Sequence, residues 1–291
     1  MFKLIECSKN TSYLKCYSNI GVYNLGNGEV ILIDSGDHKK SVTDLDAELE
    51  KSNLRVKAIF CTHAHIDHIM GNKYFKEKYG CKIYASEMEQ FYAEYPNIDA
   101  SATFNAIPVR RDSNGIITDA GTKTELLTPD VLPEGFQMIS LPGHTYNMAG
   151  FKTPDDVWFL ADSVLAKVTF EHYKLPFFFD INQSIETAKM LPNLKGKLFI
   201  PSHDIATEDI TDLALYNVQK LCELKDYFYS LCDGKSLEEI FIKADRDLDL
   251  KLNFEKCARI GIVIKSFLQA LMFDGKITAN VENSKLVYYR V

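Results

Sequence analysis

The chain has 291 residues, 46% of them hydrophobic and 25% charged, and a net charge of −7. That length and composition fit one large folded domain, or one with a small appendage, and exclude wholesale disorder. The acidic balance argues against a nucleic-acid cradle, which carries a basic excess.

Taken in chain order, short apolar runs at Tyr13 to Tyr17, Gly21 to Leu25 and Val30 to Ile33 predict strands. Asn27-Gly28 between the last two is a hairpin turn signal. Apolar spacing at 42, 45 and 49 predicts a helix from about Val42 to Leu54, and Val56 to Cys61 predicts a strand. Tyr74 to Tyr79 reads as helix with Gly80 as its stop, and Lys82 to Ala85 as strand. Tyr95 to Leu127 holds Pro96, Pro108, Asn114-Gly115 and Gly121, and reads as a long excursion containing a hairpin, either a functional lid or a plain surface insertion. Three strands follow, Phe136 to Leu141, Val157 to Leu160 and Leu198 to Pro201.

From about Asp212 the pattern turns helical. Leu213 to Leu231 is amphipathic and ends at Asp233-Gly234, Ser236 to Glu239 is a capping box, and Phe254 to Phe273 is a further helix. Lys276 to Asn280 and Leu286 to Arg290 then read as a terminal hairpin. Helix, helix and hairpin is the order of a winged-helix unit, and its charges are near balance. The expected domains are therefore 1–211 and 212–291.

The seven cysteines are scattered and form no CxxC pair, which excludes a zinc ribbon and a thioredoxin motif and predicts reduced thiols. MFKLIECSKN meets charge at Lys3 and Glu6, unlike a signal peptide, and no apolar run approaches a membrane span. The expected location is cytoplasmic.

The stretch CTHAHIDHIMG, Cys61 to Gly71, places three of the seven histidines and an aspartate within six residues. His63 and His65 are two apart, so an extended backbone projects both to one side. Asp67 and His68 follow where the chain turns into a helix and can face a second point nearby. A catalytic zinc takes three protein ligands and keeps a place for water, so two cations need more ligands than this cluster holds. The ends of the later predicted strands supply them, one each: His144, Asp162 and His203. Asp162 is the natural carboxylate to bridge two cations. His38 and His172 fit no such pattern and read as surface or pocket-wall residues.

HxHxDH followed by His, Asp and His, each after a strand, resembles the metallo-β-lactamase superfamily over roughly residues 10 to 210. The resemblance implies an α+β fold, the four-layer αβ/βα sandwich, with the small C-terminal winged-helix-like domain appended. It implies His63, His65 and His144 on one cation, Asp67, His68 and His203 on the other, and Asp162 and a hydroxide between them. Asp34, in Ile33-Asp-Ser-Gly36, matches the aspartate that supports the site from behind. A shared hydroxide is a nucleophile at neutral pH, so the implied reaction is metal-dependent hydrolysis, with Asp67 and Asp162 as catalytic residues. Five imidazoles and two carboxylates accept zinc, the first expectation, and equally manganese or iron.

The branch details narrow the substrate. Common β-lactamases place cysteine at the Asp162 position and lack a ligand at that of His68, and the diiron branch carries glutamate at that of His65. The glyoxalase II-like, lactonase and nuclease branches keep the full set. The expected substrate is a small-molecule thioester, ester or lactone, with an endoribonuclease or phosphodiesterase as the alternative. A non-enzyme alternative is a metal-domain sensor with a DNA-binding wing. Nucleic acid is a possible but not favoured partner, a homodimer a further possibility, and no membrane partner is expected. Phe170, Tyr173 and Phe177 are candidates to wall an apolar pocket; the competing reading places aromatics of such a run in the core.

Overall fold

The first apolar runs pair as an antiparallel meander in the computed structural model, which describes residues 2–98 and 121–291. Its strands are β1 (Leu4–Glu6), β2 (Thr11–Leu14), β3 (Ile20–Asn24) and β4 (Glu29–Ile33). The Asn27-Gly28 turn joins β3 to β4 as expected, with Asn24 opposite Val30. β2 stops at Leu14, short of the expected Tyr17, because the next residues leave the sheet and turn.

From β4 the sheet becomes parallel. Helix α1 (Lys39–Lys51) crosses over to β5 (Arg55–Phe60), and α2 (Ile66–Ile69) with α3 (Asn72–Tyr79) crosses over to β6 (Lys82–Ala85). Gly80 ends α3 with φ 66°, a left-handed cap that glycine adopts without steric cost. Helix α4 (Glu87–Glu94), absent from the expected elements, follows. β7 (Glu125–Leu126) then adds to β6, giving the sheet order β1-β2-β3-β4-β5-β6-β7. The hairpin expected at Asn114-Gly115 lies outside the described residues.

A second sheet has the order β11-β10-β9-β8, built from β8 (Gln137–Ser140), β9 (Ala149–Lys152), β10 (Val157–Phe159) and β11 (Leu198–Ile200). Strand periodicity decides the layers. Val30 and Leu32 of β4 pack with Val42, Leu45 and Leu49 of α1 and Phe75 of α3. Their alternates Ile31 and Ile33 join Phe60, Phe151, Phe159 and Ile200 between the two sheets. Each fully buried phenylalanine there contributes about 2–3 kcal/mol of transfer free energy.

The chain divides into two units that interleave in sequence. The first is Met1–Leu141, Tyr146–Ser163 and Asn193–Ile210; the second is Pro142–Thr145, Val164–Pro192 and Thr211–Val291. The second unit holds α5 (Lys167–Tyr173), α6 (Ile181–Met190), α7 (Thr211–Leu231), α8 (Leu237–Leu248) and α9 (Phe254–Phe273). Its sheet is β12 (Asp233–Ser236), β14 (Lys285–Arg290) and β13 (Ile277–Glu282), in that order. The expected capping box opens α8: the Ser236 N–H donates to Glu239 and the Glu239 N–H to the Ser236 hydroxyl. α7 ends at Leu231, and Asp233-Gly234, expected as its stop, begins β12, where a register shift against β14 falls at Gly234 with φ 71°. Among the described residues no helix is long and apolar enough to cross a membrane.

Candidate metal centre

Parallel strands deliver their carboxyl ends to one edge of a sheet, where loops are free to carry chemistry. Four loops of the first unit meet this condition: the one after β4 carries Asp34, that after β5 carries His63 to His68, that after β10 carries Asp162, and that after β11 carries His203. Asp34 sits at φ 62°, and Ala161, directly before Asp162, at φ 51°. Left-handed backbone is costly for side chains with a Cβ, and such strain persists where surrounding structure enforces it.

Asp34 is 2% exposed and spends both oxygens on its neighbours. The Thr62 N–H and hydroxyl donate to it at 2.7 and 2.8 Å, and His68 Nδ1 lies 2.8 Å from Oδ2. That last bond fixes the His68 ring so that Nε2 points the other way. Nε2 is buried, has no hydrogen-bond partner, and lies 3.5 Å from Asp162 Oδ1 and 3.6 Å from Asp67 Oδ2. His203 Nε2 reaches Asp162 Oδ2 at 3.1 Å and Asp67 Oδ2 at 3.4 Å. One donor atom each from His63, His68 and Asp162 lies within 4.8 Å of the others, and the same holds for Asp67, His68 and His203.

His63 Nε2 and His65 Nδ1 are 3.1 Å apart. Two nitrogens on one tetrahedral zinc, at its ordinary bond length, are about 3.3 Å apart. The donor set thus fits divalent cations by chemistry and spacing. Charge agrees: burial pushes the His68 pKa down, but Asp67, Asp162 and Asp34 outweigh it and hold it well above the ordinary value. Burial likewise lowers His203 and Asp162 raises it, with a net rise. Burial raises Asp67, while His68 and His203 bring it below the usual carboxylate value. Positive charge is favoured on the two imidazoles and negative charge on Asp67.

His144 belongs to the second unit. It is buried there, with its ring edge-on to Phe177 at 5.6 Å and to Phe178 at 6.4 Å. Of the aromatics proposed for a pocket, Phe170 is 5% exposed in the core of that unit, 6.2 Å from Phe178 in a stacked pair. For Phe170 the competing core reading is therefore the correct one: its neighbours are apolar rings and helices. Tyr173 is exposed and Phe177 half-buried. His38 lies at the surface beside Asp37, and His172 is exposed.

Two supports escaped the sequence reading. Glu89 of α4, 1% exposed, accepts the Ala64 N–H at 2.8 Å and the Asn147 N–H at 3.4 Å, bracing the histidine loop from below. The loop from Cys16 to Asn19 reaches Asp67 and His203 from the other side. A glutamate within EMEQFYAE and a serine after a strand carry no spacing signal that would mark them.

The sequence profile of the metallo-beta-lactamase superfamily matches residues 14–203. A hydroxyacylglutathione hydrolase of Hyphomonas neptunium is 32% identical over 146 residues, 50% of this chain and 46% of the relative. A protein of the same description from Brucella ovis is 30% identical over 129 residues, 42% of this chain and 39% of the relative. The chain spans less than half the length of these curated relatives. Among solved structures, a metallo-beta-lactamase family protein from Thermus thermophilus superposes with a TM-score of 0.70 at 18% identity, covering 100% of this chain and 98% of that one. A beta-lactamase domain protein from Burkholderia ambifaria gives 0.71 at 14% identity, covering 99% and 94%. At those identities the likeness is one of fold, and the fold is α+β as expected. The chain belongs to the metallo-beta-lactamase superfamily.

Proposed function

We propose that the chain is a metal-dependent hydrolase that binds two divalent cations, zinc foremost, and cleaves a thioester, ester or lactone of a small molecule. The observation that carries this reading is His68, a buried imidazole whose unpartnered Nε2 faces two carboxylates across a gap of 3.5–3.6 Å. His63 and His65 would hold one cation, Asp67, His68 and His203 the other, and Asp162 would be shared. Cations bound there would lower the pKa of a water and polarise the bond under attack. Asp34 keeps the His68 proton on Nδ1, so that Nε2 offers its lone pair to the gap. Asp67, half-buried, would hold a proton of the attacking water. Asp162 is 4% exposed.

The substrate class follows from the relatives described as hydroxyacylglutathione hydrolases, which supports a thioester first. Phe177, half-buried beside His144, would be the aromatic that meets an acyl group. Acidic and basic side chains balance across residues 212–291, which supports neither an RNA track nor a DNA-binding wing there. In this reading residues 1–211 form the hydrolase domain and 212–291 an appendage that is winged-helix-like in its order of elements.

The test is turnover of an acyl thioester, a lactone, a phosphodiester and a short single-stranded RNA by protein loaded separately with zinc, manganese and iron. Thioester or lactone hydrolysis that chelation abolishes and metal restores is the expected result. Cleavage of the phosphodiester or RNA alone would overturn the substrate class.

A further inference from the structure

Between β2 and β3 the sequence runs Cys16-Tyr-Ser-Asn19, polar where its flanks are apolar. Ser18 and Asn19 are nonetheless 1% and 5% exposed. The Ser18 hydroxyl and the Asn19 amide nitrogen find partners in the candidate centre, whereas Asn19 Oδ1 has no hydrogen-bond partner. The Ser18 hydroxyl donates to Asp67 Oδ2 at 2.8 Å. The Asn19 amide nitrogen donates to the carbonyls of Pro201 and Asp204 at 2.8 and 2.7 Å, and the Asn19 N–H to that of Ser202 at 2.8 Å. Three backbone carbonyls flanking His203 are therefore held by one residue. His203 itself donates from Nδ1 to the Tyr17 carbonyl at 2.7 Å, and the Tyr17 ring lies edge-on to it at 4.8 Å. The loop keeps its own shape through the Cys16 thiol, which donates to the Ser18 carbonyl at 3.0 Å.

The Ser18 bond reaches Asp67, the Tyr17 carbonyl reaches His203, and the Asn19 bonds reach the backbone on either side of His203, while Thr62 and Glu89 brace the segment of His63 and His65. We propose that Ser18 and Asn19 are positioning residues that set the Asp67–His68–His203 cation position alone, leaving the His63–His65 position independent of them. The proposal rests on the two-cation reading above. The physical basis is the lone-pair inventory of a carboxylate oxygen: the Ser18 hydroxyl occupies one lone pair of Oδ2 and directs the other toward His68 and His203. The Tyr17 carbonyl does the matching task for His203, keeping its proton on Nδ1 and its lone pair on Nε2.

The test uses the full chain stripped of metal and titrated with zinc against a chromophoric chelator, comparing wild type with Ser18→Ala, Ser18→Thr and Asn19→Ala. Wild type is expected to bind two cations in resolvable steps. Ser18→Ala should keep one step at wild-type affinity and weaken the other by about 10- to 100-fold, the usual effect of removing a partner behind a metal ligand. Ser18→Thr, which keeps the hydroxyl, should restore it. Asn19→Ala should weaken the same step, and it decides the matter should Ser18→Ala fail to fold. Both steps unchanged, or both weakened equally, in the folded variants would overturn the proposal while leaving the two-cation reading intact. A wild-type chain that binds fewer than two cations would overturn that reading and the proposal with it.

Discussion

Asp162 is the residue on which the proposed chemistry converges. Its Oδ1 lies 3.5 Å from His68 Nε2 and its Oδ2 3.1 Å from His203 Nε2, so it addresses both imidazoles from a nearly solvent-free position. Asp162→Asn keeps the volume and removes the charge. Its turnover should fall by more than about 100-fold, beyond the cost of losing a residue that merely supports a ligand. Far-UV circular dichroism should be unchanged; full turnover in the folded variant would show that Asp162 is not shared between cations. A pH dependence follows from the same geometry. The carboxylates hold His68 and His203 protonated above the ordinary imidazole value of 6.5 in the metal-free chain. A cation needs the neutral ring, so binding releases protons, and affinity should rise as pH rises through the raised values. The protonated rings stabilise the metal-free fold below pH 6.5, and that contribution is lost as pH climbs through the folded-state values. Zinc affinity and metal-free stability should therefore run in opposite directions with pH; parallel trends in equilibrium dialysis and denaturant unfolding would contradict the assignment.

At the scale of elements, α2 and α3 show why the histidine motif ends in glycine. Gly71 has an ordinary φ of −83°, so conformational freedom is not the reason. A Cβ there would lie 2.4 Å from the Ser35 carbonyl oxygen and 3.0 Å from Phe75 and Val42. The Ser35 N–H is itself bonded to the His68 carbonyl at 2.7 Å, so any shift is passed to a candidate ligand. Gly71→Ala should cost about 1–3 kcal/mol in denaturant unfolding, the usual range for overpacking. A stability equal to wild type would mean the loop yields without strain. Elements with a clear apolar signal were legible: α1, α7 and α9 come within a few residues of expectation because each carries helical apolar spacing, and β4 and β5 because each is a short apolar run. What was missed lacked that signal. β9 is four residues containing Gly150, α4 mixes acidic residues with the adjacent Phe91 and Tyr92, α5 lies in an aromatic-rich run, and α6 is largely polar, with few apolar residues to mark its buried face.

For the whole molecule, strand-end motifs made the family and the candidate ligands readable, because metal chemistry restricts residue type so tightly. The supports behind them were not readable, since any hydroxyl or carboxylate in the right place suffices; Ser18, Asn19 and Glu89 are identified only by what they touch. The fate of the aromatic run was likewise a matter of packing: Phe170 goes to the core with Phe178 and Tyr216. The measurement that bears most directly on the centre is anomalous diffraction at the zinc edge from crystals of the zinc-loaded chain. Two peaks are expected, one at His63 and His65 and one at Asp67, His68 and His203, with Asp162 touching both. A single peak, or none at these side chains, would contradict the two-cation centre.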